Sequence, residues 1–520
     1  MGNSDESSGF KASTPQEVDK VVATARKTFR SGRTKDIIWR KDQLRQLYRM
    51  IDENHAEIVD AVLHDFSKPR HESMLSEVAM NLNHIAYTLK YLDSWVKPDY
   101  PEKGLTEMGS DLYVRKEPFG VCLIIAPWNY PFDLILKPLT SAIAAGNAAV
   151  CKPSELTPHC AMLLADLVPR YLDPEAVFVV NGGVKETTLL LEKRWDHITY
   201  TGSTTVGKIV MAAASKFVTP VVLELGGKSP VIIDGSLTAA DMATVGKRLG
   251  GFKFFNDGQT CIAPDYVLCP PHLVAPLADN VSKYVESAYG ADPSTSPDLA
   301  KIINKSHTRR IGRLIDKQVA VSGTVVASGG VWDEKTSYVS PTILTGVRGD
   351  GPIMSGEIFG PVLPIVEVDG VDSAIDFVLD RERPLALYIF SKDKSFIGKI
   401  LDQVTSGGVV VNDSVLHGAI DSAPFGGIGA SGQGMLHGKY GFDSYSHHRT
   451  VLHRPLNWVS TKMDDLGGRF PPYSDQATDQ AIGMLKKPLP RPSRFPQWLI
   501  SISVAVTGVF FGIFGYARGK

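Results

Sequence analysis

The sequence predicts an α/β fold, with parallel strands covered by helices on both faces, followed by a C-terminal transmembrane helix. From residue 111 onward, short apolar strands alternate with helical patterns, which is the order expected of a parallel sheet. The chain has 520 residues, which exceeds the size of one core, and a second α/β unit begins near Gly226. The run 498–516 contains no charged residue, which predicts the membrane span.

The N-terminal part is predicted to be helical. Residues 1–14 are polar and are expected to be disordered. Thr14, Pro15 and Glu17 then form a capping box with proline in the first turn. Apolar residues recur at helical spacing as far as Leu92, so we expect mostly helix over this part of the chain.

Strands alternate with helices in both α/β units. Each predicted strand is a short apolar run bounded by turn formers or by the start of a helix. The predicted strands of the first unit are residues 112–115, 121–125, 148–151, 177–180 and 197–200. Those of the second unit are residues 231–233, 267–268, 362–366, 387–390 and 409–411.

The composition indicates a globular protein from a reducing compartment. The net charge of −1 provides no basic excess for binding nucleic acid. The five cysteines are odd in number and include no C-x-x-C pair, so we expect neither a disulfide framework nor a metal site. Residues 1–14 lack the apolar core of a signal peptide.

The run 498–516 is predicted to be a single-pass tail anchor. As a helix it would extend about 28 Å, close to the hydrocarbon thickness of a bilayer. Trp498 and Tyr516 stand at its ends, where interfacial aromatic residues belong. A buried core helix is the alternative, but the run is apolar on all sides. The proline-rich basic segment 455–497 would link it to a cytosolic globular part.

Cys261 is the first candidate for chemistry. Asn256, Asp257 and Gly258 are turn formers that precede it, and a predicted strand follows. We therefore expect the thiol on a tight turn between ordered elements, where a nucleophile can be held still. Most free cysteines are instead small buried hydrophobic residues. Whether Cys261 is a nucleophile or a structural cysteine is decided by the other candidate site residues in the chain.

Gly202, Ser203 and Gly207 follow the predicted strand 197–200 and open a helix. Glycines let backbone N–H groups approach a pyrophosphate, and a helix N-terminus favours its charge. A second glycine-rich run, 427–432, fits a dinucleotide fingerprint letter for letter. It follows no clear strand, so we interpret it as a structural loop.

Charged residues also stand at two strand ends. Lys152 and Glu155 follow the strand 148–151, at the sheet edge where open α/β folds bind ligands such as ribose and phosphate. Glu224 ends an apolar strand before a glycine pair, where burial would raise the pKa of a carboxyl toward that of a general base. Taken alone, the first pair could be a solvated turn and Glu224 could be structural.

Together these segments resemble the NAD(P)-dependent aldehyde dehydrogenase superfamily from about residue 15 to 453. The short N-terminus, GQTCIAPDYVL (258–268) and HGKYGFDSYSHHR (437–449) resemble its class-3 and fatty aldehyde dehydrogenase branch, in which some members carry a C-terminal anchor. The matching motifs, in family order, are APWNYP (126–131), KPSE (152–155), TGSTTVG (201–207), LELGGKSP (223–230), GQTCIAPDY (258–266), EIFGPVLP (357–364) and SAPFGGIGASG (422–432).

The resemblance implies catalytic roles for matching residues. Cys261 would be the nucleophile, and the Asn129 side chain would donate to the oxyanion together with the Cys261 backbone N–H. Glu224 would be the base that hydrolyses a thioester. Glu357 would contact a ribose and is a second candidate for that base, and Phe359 would lie near the nicotinamide.

The resemblance implies cofactor contacts as well. Lys152 and Glu155 would bind the adenosine ribose, and Gly202 and Ser203 the phosphates, with Gly207 in the same glycine-rich turn. Because the charge of Glu155 disfavours a 2′-phosphate, we expect NAD over NADP. The implied organisation is a Rossmann-like NAD-binding domain at 15–225, an α/β catalytic domain at 226–411, and a small β oligomerisation element formed by 95–118 and 412–454.

We therefore expect a homodimer that oxidises medium- to long-chain fatty aldehydes with NAD. Aromatic aldehydes are the second candidate substrates. The anchor suits the endoplasmic reticulum or the outer mitochondrial membrane. A catalytically silent membrane scaffold is opposed by the complete set of catalytic residues, and a thiol esterase without cofactor is opposed by the cofactor motifs.

Overall fold

The helices follow the predicted pattern. The computed structural model describes residues 10–104, 107, 109–466, 469–487 and 489. Thr14 caps the first helix in the predicted capping box. A π-helical segment, Met74–Ala79, joins α4 to α5. The helices of the described residues are α1 (Pro15–Arg30), α2 (Ile37–Glu53), α3 (His55–Phe66), α4 (Arg70–Ser73), α5 (Met80–Trp95), α6 (Asp133–Ala145), α7 (Pro158–Tyr171), α8 (Val184–Glu192), α9 (Thr204–Ser215), α10 (Ala239–Lys253), α11 (Pro271–Tyr289), α12 (Lys305–Val319), α13 (Val371–Leu379), α14 (Lys394–Gln403), α15 (Gly438–Ser444), α16 (Trp458–Leu466) and α17 (Asp475–Leu485).

The strands also agree with the predicted alternation. Every predicted strand is present, with bounds that differ by at most a few residues. The described strands are β1 (Asp111–Pro118), β2 (Val121–Ile125), β3 (Ala148–Lys152), β4 (Val177–Val179), β5 (His197–Gly202), β6 (Val221–Leu225), β7 (Pro230–Ile233), β8 (Tyr266–Cys269), β9 (Val325–Ser328), β10 (Trp332–Asp333), β11 (Tyr338–Val339), β12 (Thr342–Thr345), β13 (Val362–Glu367), β14 (Ala386–Phe390), β15 (Gly408–Val411), β16 (Gly432–Gln433) and β17 (Ser446–His453).

Two large sheets organise the strands. A six-stranded sheet has the order β16-β6-β5-β2-β3-β4 and is parallel except for β16, which runs antiparallel to β6. A seven-stranded sheet has the order β15-β14-β7-β8-β13-β12-β9 and is parallel except for β9. The domain boundary predicted after residue 225 falls between β6 and β7, which belong to different sheets, and it stays a prediction.

Helices cover both faces of each sheet. Successive residues of a strand point to opposite faces, so a doubly covered strand contributes to two cores. In β2, Cys122 and Ile124 pack in one hydrophobic core, whereas Leu123 packs in another. In β7, Val231 and Ile232 likewise belong to different cores. This alternation confirms the predicted α/β class.

The chain forms two compact units. Among the described residues, one unit contains those up to 98 and 115–449, and therefore both large sheets. The other contains the described residues of 99–114 and those from 450 onward. In the second unit, α17 lies within the segment predicted to be a linker. No helix within the described ranges is long and apolar enough to cross a membrane. The predicted span 498–516 and residues 1–9 of the predicted disordered N-terminus lie outside those ranges.

Candidate active site

Cys261 lies on a tight turn between α10 and β8, as the sequence predicts. The Ala263 N–H donates to the Thr260 carbonyl (2.9 Å) and closes the turn around the cysteine. The hydroxyls of Tyr130 and Thr260 share a hydrogen bond of 2.6 Å, which ties this turn to the loop after β2. The turn that carries Cys261 is therefore fixed by its own backbone hydrogen bond and by a side-chain hydrogen bond to the loop after β2.

Cys261 differs from the other cysteines in its exposure. It is partly exposed, whereas the other four are buried free thiols: Cys122, Cys151, Cys160 and Cys269. Burial in its cavity, and next the charges of Glu357 and Glu224, raise the pKa of the Cys261 thiol to about 12. The resting group is thus a thiol rather than a thiolate.

Asn129 is fixed next to the cysteine loop. It is buried on the loop that follows β2, and its Nδ2 donates to the Gln259 carbonyl (3.0 Å). The Asn129 carbonyl in turn accepts from the Asn256 side chain (2.9 Å). One N–H of the Asn129 amide is used in this way, and the second has no hydrogen-bond partner among the residues that the structure describes.

Glu224 is a buried carboxyl in β6. Neither of its oxygens has a hydrogen-bond partner among the residues that the structure describes. Burial therefore raises the pKa of Glu224 well above its usual 4.5. The glycine-rich run 427–432, interpreted as structural, ends in β16, which pairs with β6 so that Gly432 lies opposite Glu224.

A frame of polar contacts fixes the segment that carries Glu357. Lys228 forms an ion pair with Asp265 and donates to the Gly356 carbonyl (3.0 Å). Asp265 also accepts from the Ile358 N–H (3.0 Å). The residues on both sides of Glu357 are therefore held by a single ion pair.

The Glu357 carboxylate lies directly against the backbone at Gly226. A Cβ at that glycine would lie 2.1 Å from Glu357 Oε2, so a larger residue would displace the carboxylate. Burial, and next the charge of Asp265, raise the pKa of Glu357 to about 8.

The glycine-rich turn after β5 has two parts. Gly202 has φ +156° and no room for a side chain, because a Cβ would lie 2.2 Å from the Tyr200 hydroxyl. Ser203 caps α9, with its side chain accepting from the Val206 N–H (3.4 Å). Gly207 lies farther along α9, where a Cβ would lie 2.6 Å from a methyl group of Leu225. Gly207 thus permits close packing of helix on sheet.

Lys152 and Glu155 lie at the carboxyl edge of the same sheet. Lys152 ends β3, and Ile125 at the end of β2 is its partner in register. The Lys152 Nζ donates to the Gly182 carbonyl (2.8 Å) and lies 3.5 Å from the Glu155 carboxylate. These two residues form a buried cation and a partly exposed anion at the predicted ligand-binding edge.

Two cavities meet at Cys261. The first, of about 240 Å³, brings together seven predicted site residues: Asn129, Gly202, Ser203, Glu224, Cys261, Glu357 and Phe359. The second, of about 210 Å³, has a largely apolar wall that includes Leu75, Met80, Leu134, Phe252, Phe255, Ile262, Phe425 and Leu436. Cys261 and Glu224 line both, while Lys152, Glu155 and Gly207 line neither.

The first cavity has features suited to the nicotinamide and phosphate groups of a dinucleotide. The N-terminus of α9 presents backbone N–H groups where phosphates would lie, next to a glycine that leaves room for close approach. Phe359 and Trp128 form an edge-to-face pair, with ring centroids 5.5 Å apart, in the same wall. A thiol and a carboxyl thus lie between a nucleotide-compatible cavity and an apolar one.

Residues 3–451 match the Aldehyde dehydrogenase family. The chain belongs to the aldehyde dehydrogenase family. It is an NAD(P)-dependent enzyme that oxidises aldehydes, and the family resemblance of its motifs is thereby confirmed. The family assignment places the two cavities in the context of a cofactor and an aldehyde.

Relatives of class 3 are similar over most of their length. Aldehyde dehydrogenase family 3 member A2 of Mus musculus is 44% identical over 492 residues, which cover 95% of this chain and 99% of the relative. The dimeric NADP-preferring aldehyde dehydrogenase of Rattus norvegicus is 45% identical over 439 residues, covering 84% and 95%. The substrate-bound structure of AldH from Staphylococcus aureus is 37% identical, with a TM-score of 0.85 and coverage of 90% and 99%.

Sequence reasoning missed the residues that support the site. Lys228 and Asp265 both lie inside quoted motifs, and a charged residue in an apolar stretch demands a partner. This need for a partner could have predicted the ion pair between Lys228 and Asp265. Trp128 and Asn256 also lie in or beside motif segments, but their contacts with Phe359 and Asn129 depend on distant parts of the chain.

Proposed function

We propose that this protein oxidises medium- to long-chain aliphatic aldehydes to carboxylic acids, with Cys261 as nucleophile and NAD as preferred cofactor. The observation that carries the proposal is the meeting of an apolar cavity and a nucleotide-compatible cavity at one thiol. An alkyl chain in the apolar cavity gains about 0.8 kcal/mol for each buried methylene.

The reaction begins when the Cys261 sulfur attacks the aldehyde carbon. A carbon–sulfur bond forms and the carbonyl oxygen becomes an oxyanion. Because the thiol is protonated at rest, its proton must pass to a base, and Glu224 and Glu357 line the same cavity. The free N–H of Asn129 and the Cys261 backbone N–H would stabilise the oxyanion, each contributing about 3 kcal/mol.

The residues of the chain would bind and orient the cofactor, and the cofactor would supply the redox chemistry. When bound, NAD(P) accepts hydride from the former aldehyde carbon. Gly202 and Ser203 would bind its phosphates, and Glu357 and Phe359 would contact the nicotinamide half. At the adenosine ribose, Lys152 would donate hydrogen bonds to the hydroxyls and Glu155 would accept hydrogen bonds from them. The Glu155 carboxylate would repel a 2′-phosphate, which favours NAD over NADP.

Hydrolysis of the thioester on Cys261 completes the cycle. Glu224 would take a proton from water, which attacks the thioester carbon while the carbon–sulfur bond breaks and the thiol is restored. Two observations favour Glu224 over Glu357 as this base. Glu224 lines both cavities, and both its oxygens are without partners in the described part of the chain.

A membrane anchor would bring this chemistry to lipid aldehydes. The apolar run 498–516 is proposed to tether the enzyme at the endoplasmic reticulum or the outer mitochondrial membrane, with its catalytic part in the cytosol. Membrane fractionation of the full chain beside a chain ending at residue 489 tests this proposal. The rat relative is named dimeric, which supports a homodimer here, to be measured by light scattering.

The substrate proposal is tested by NADH formation in detergent with hexanal, hexadecanal and benzaldehyde, for wild type and Cys261→Ser. We expect the highest kcat/KM for hexadecanal and a loss of at least about 10³-fold in the variant, because a serine hydroxyl lacks an activating base of the required strength. A preference for benzaldehyde would favour aromatic aldehydes as substrates. Absence of turnover in wild type would favour the scaffold.

A further inference from the structure

Glu72 contacts the catalytic loop from outside both cavities. It lies in α4, is buried, and its Oε2 accepts a hydrogen bond from the Asn256 backbone N–H (2.8 Å). It lines neither cavity at Cys261. Hydrogen bonds that a carboxylate accepts are stronger than those between neutral groups. Glu72 is therefore a firm attachment point for the loop before the nucleophile.

Asn256 passes this attachment on to Asn129. Its backbone is left-handed (φ 54°), a conformation that costs free energy in a residue with a side chain and needs support from its surroundings. Its Nδ2 donates to the carbonyls of Asn129 (2.9 Å) and Gln259 (3.1 Å). The Asn129 amide donates to that same Gln259 carbonyl (3.0 Å). An unbroken chain of hydrogen bonds thus leads from Glu72 to Asn129.

We propose that Glu72 is a positioning residue that holds the Asn129 amide, through Asn256, in the orientation needed to bind the oxyanion formed at Cys261. The inference rests on the proposed role of Asn129. Loss of the Glu72 charge would loosen the Asn256 backbone. The Asn256 side chain, which donates to the Asn129 and Gln259 carbonyls, would shift with it, and so would the Gln259 carbonyl that accepts from the Asn129 amide.

The proposal predicts a pH dependence of kcat. Burial chiefly raises the pKa of Glu72 to about 7, against the opposing charge of Lys68 and the Asn256 N–H. Below this pH, Glu72 becomes neutral and the charge-assisted bond to Asn256 is lost, so kcat should fall as the pH decreases through 7. The titratable groups that face Glu72 are Lys68, Tyr130, Asp257, Tyr284, Tyr289 and Asp298.

The central test compares Glu72→Gln with wild type. We expect a decrease in kcat of about tenfold with KM within about twofold, because a displaced catalytic donor weakens transition-state binding more than substrate binding. The fall in kcat as the pH decreases through 7 should become shallower, because only the ionisation of the general base then contributes to it. Asp65→Asn is the matched control, since Asp65 also accepts backbone N–H groups, from His159 and Cys160, and lines neither cavity. It should leave kcat unchanged.

A double variant separates positioning from general destabilisation. In an Asn129→Ala background, Glu72→Gln should cause no further loss of kcat, because it acts through the missing side chain. A merely structural role would lower kcat in both backgrounds, and that result would overturn the proposal. So would a wild-type kcat in Glu72→Gln.

Hydrogen exchange provides a readout that does not depend on turnover. Exchange of the segment 254–261 should be about fivefold faster in Glu72→Gln than in wild type, and unchanged in Asp65→Asn. Equal exchange rates in Glu72→Gln and wild type would refute the positioning role of Glu72, whether or not the wild type oxidises aldehydes. A wild type that oxidises no aldehyde would refute the proposed function instead. If Glu72→Gln does not fold, the decrease in kcat below pH 7 must be steeper in wild type than in Asn129→Ala, which keeps the general base but lacks the side chain that Glu72 positions. Equal decreases in the two proteins would overturn the proposal.

Discussion

The two cavities that meet at Cys261 are built in different ways. Most residues of the nucleotide-compatible cavity lie in short sequence motifs, such as Gly202, Ser203 and Asn129. The apolar cavity is formed by single side chains from segments that are distant in sequence, from Leu75 to His437. Reaction chemistry therefore depends on short motifs, whereas substrate range depends on a wall assembled by tertiary packing.

After Cys261→Ser, the largest effect is expected at Glu224, which lines both cavities as Cys261 does. In Glu224→Gln, steady-state kcat should fall about 10²- to 10³-fold, because no base activates the water that opens the thioester. Formation of the first equivalent of NADH should remain, which stopped-flow absorbance measures. Wild-type kcat should rise with pH, since the base must be ionised and burial raises its pKa. The parallel variant Glu357→Gln decides between the bases: a larger loss there would assign the role to Glu357.

The next effect concerns Asn129, which lines the nucleotide-compatible cavity. Asn129→Ala should lower kcat about 10²-fold, because one oxyanion donor is removed. KM for the aldehyde should change little in steady-state measurements. Asn181→Ala is the control: Asn181 is equally buried and lines neither cavity. Equal losses in both variants would show a packing defect rather than a lost donor.

A smaller effect is expected on the apolar side alone. A Cβ at Gly418 would lie 3.0 Å from the end of Ile262 and 3.9 Å from Phe425, so Gly418→Val should narrow this cavity. KM for hexadecanal should rise about tenfold, while hexanal is affected less, because each displaced methylene loses burial. Gly398→Val is the control, since a Cβ there has no neighbour within 4 Å. An equal effect on both aldehydes would place the alkyl chain elsewhere.

The smallest effect concerns cofactor choice. Glu155→Gln should raise kcat/KM for NADP relative to NAD about threefold, because a partly exposed charge near the ribose is screened by water. Initial rates with both cofactors measure the ratio. Glu192→Gln, at an exposed carboxylate in α8, controls for net charge. An unchanged ratio would mean that Glu155 does not contact the adenosine ribose.

The fold was largely predictable because its strands are local apolar runs. β2 has the predicted bounds, β4 ends one residue earlier than predicted, and the other predicted strands are longer by a few residues at most. The antiparallel strands β9 and β16 were not predicted. β16 has only two residues, one of them Gly432, and so carries no periodic signal.

Only those site residues that lie in a recognisable sequence motif were predictable. Seven predicted residues line one cavity, including Cys261, Glu224 and Glu357, which lie far apart in the sequence. The packing role of Gly207 was not foreseen, since its contact with Leu225 depends on how α9 lies on β6. The wall of the apolar cavity could not be predicted either, because no local pattern marks side chains that converge only after folding.

The contrast in burial among the cysteines makes Cys261 a natural reporter. Four thiols are shielded by packing and one opens into two cavities, so a small alkylating reagent should modify one equivalent per folded chain before any other. Counting that equivalent by mass spectrometry would measure the fraction of competent molecules in a preparation. The same exposure makes oxidative inactivation a single-hit process, in which one damaged sulfur per chain abolishes turnover while the fold remains intact.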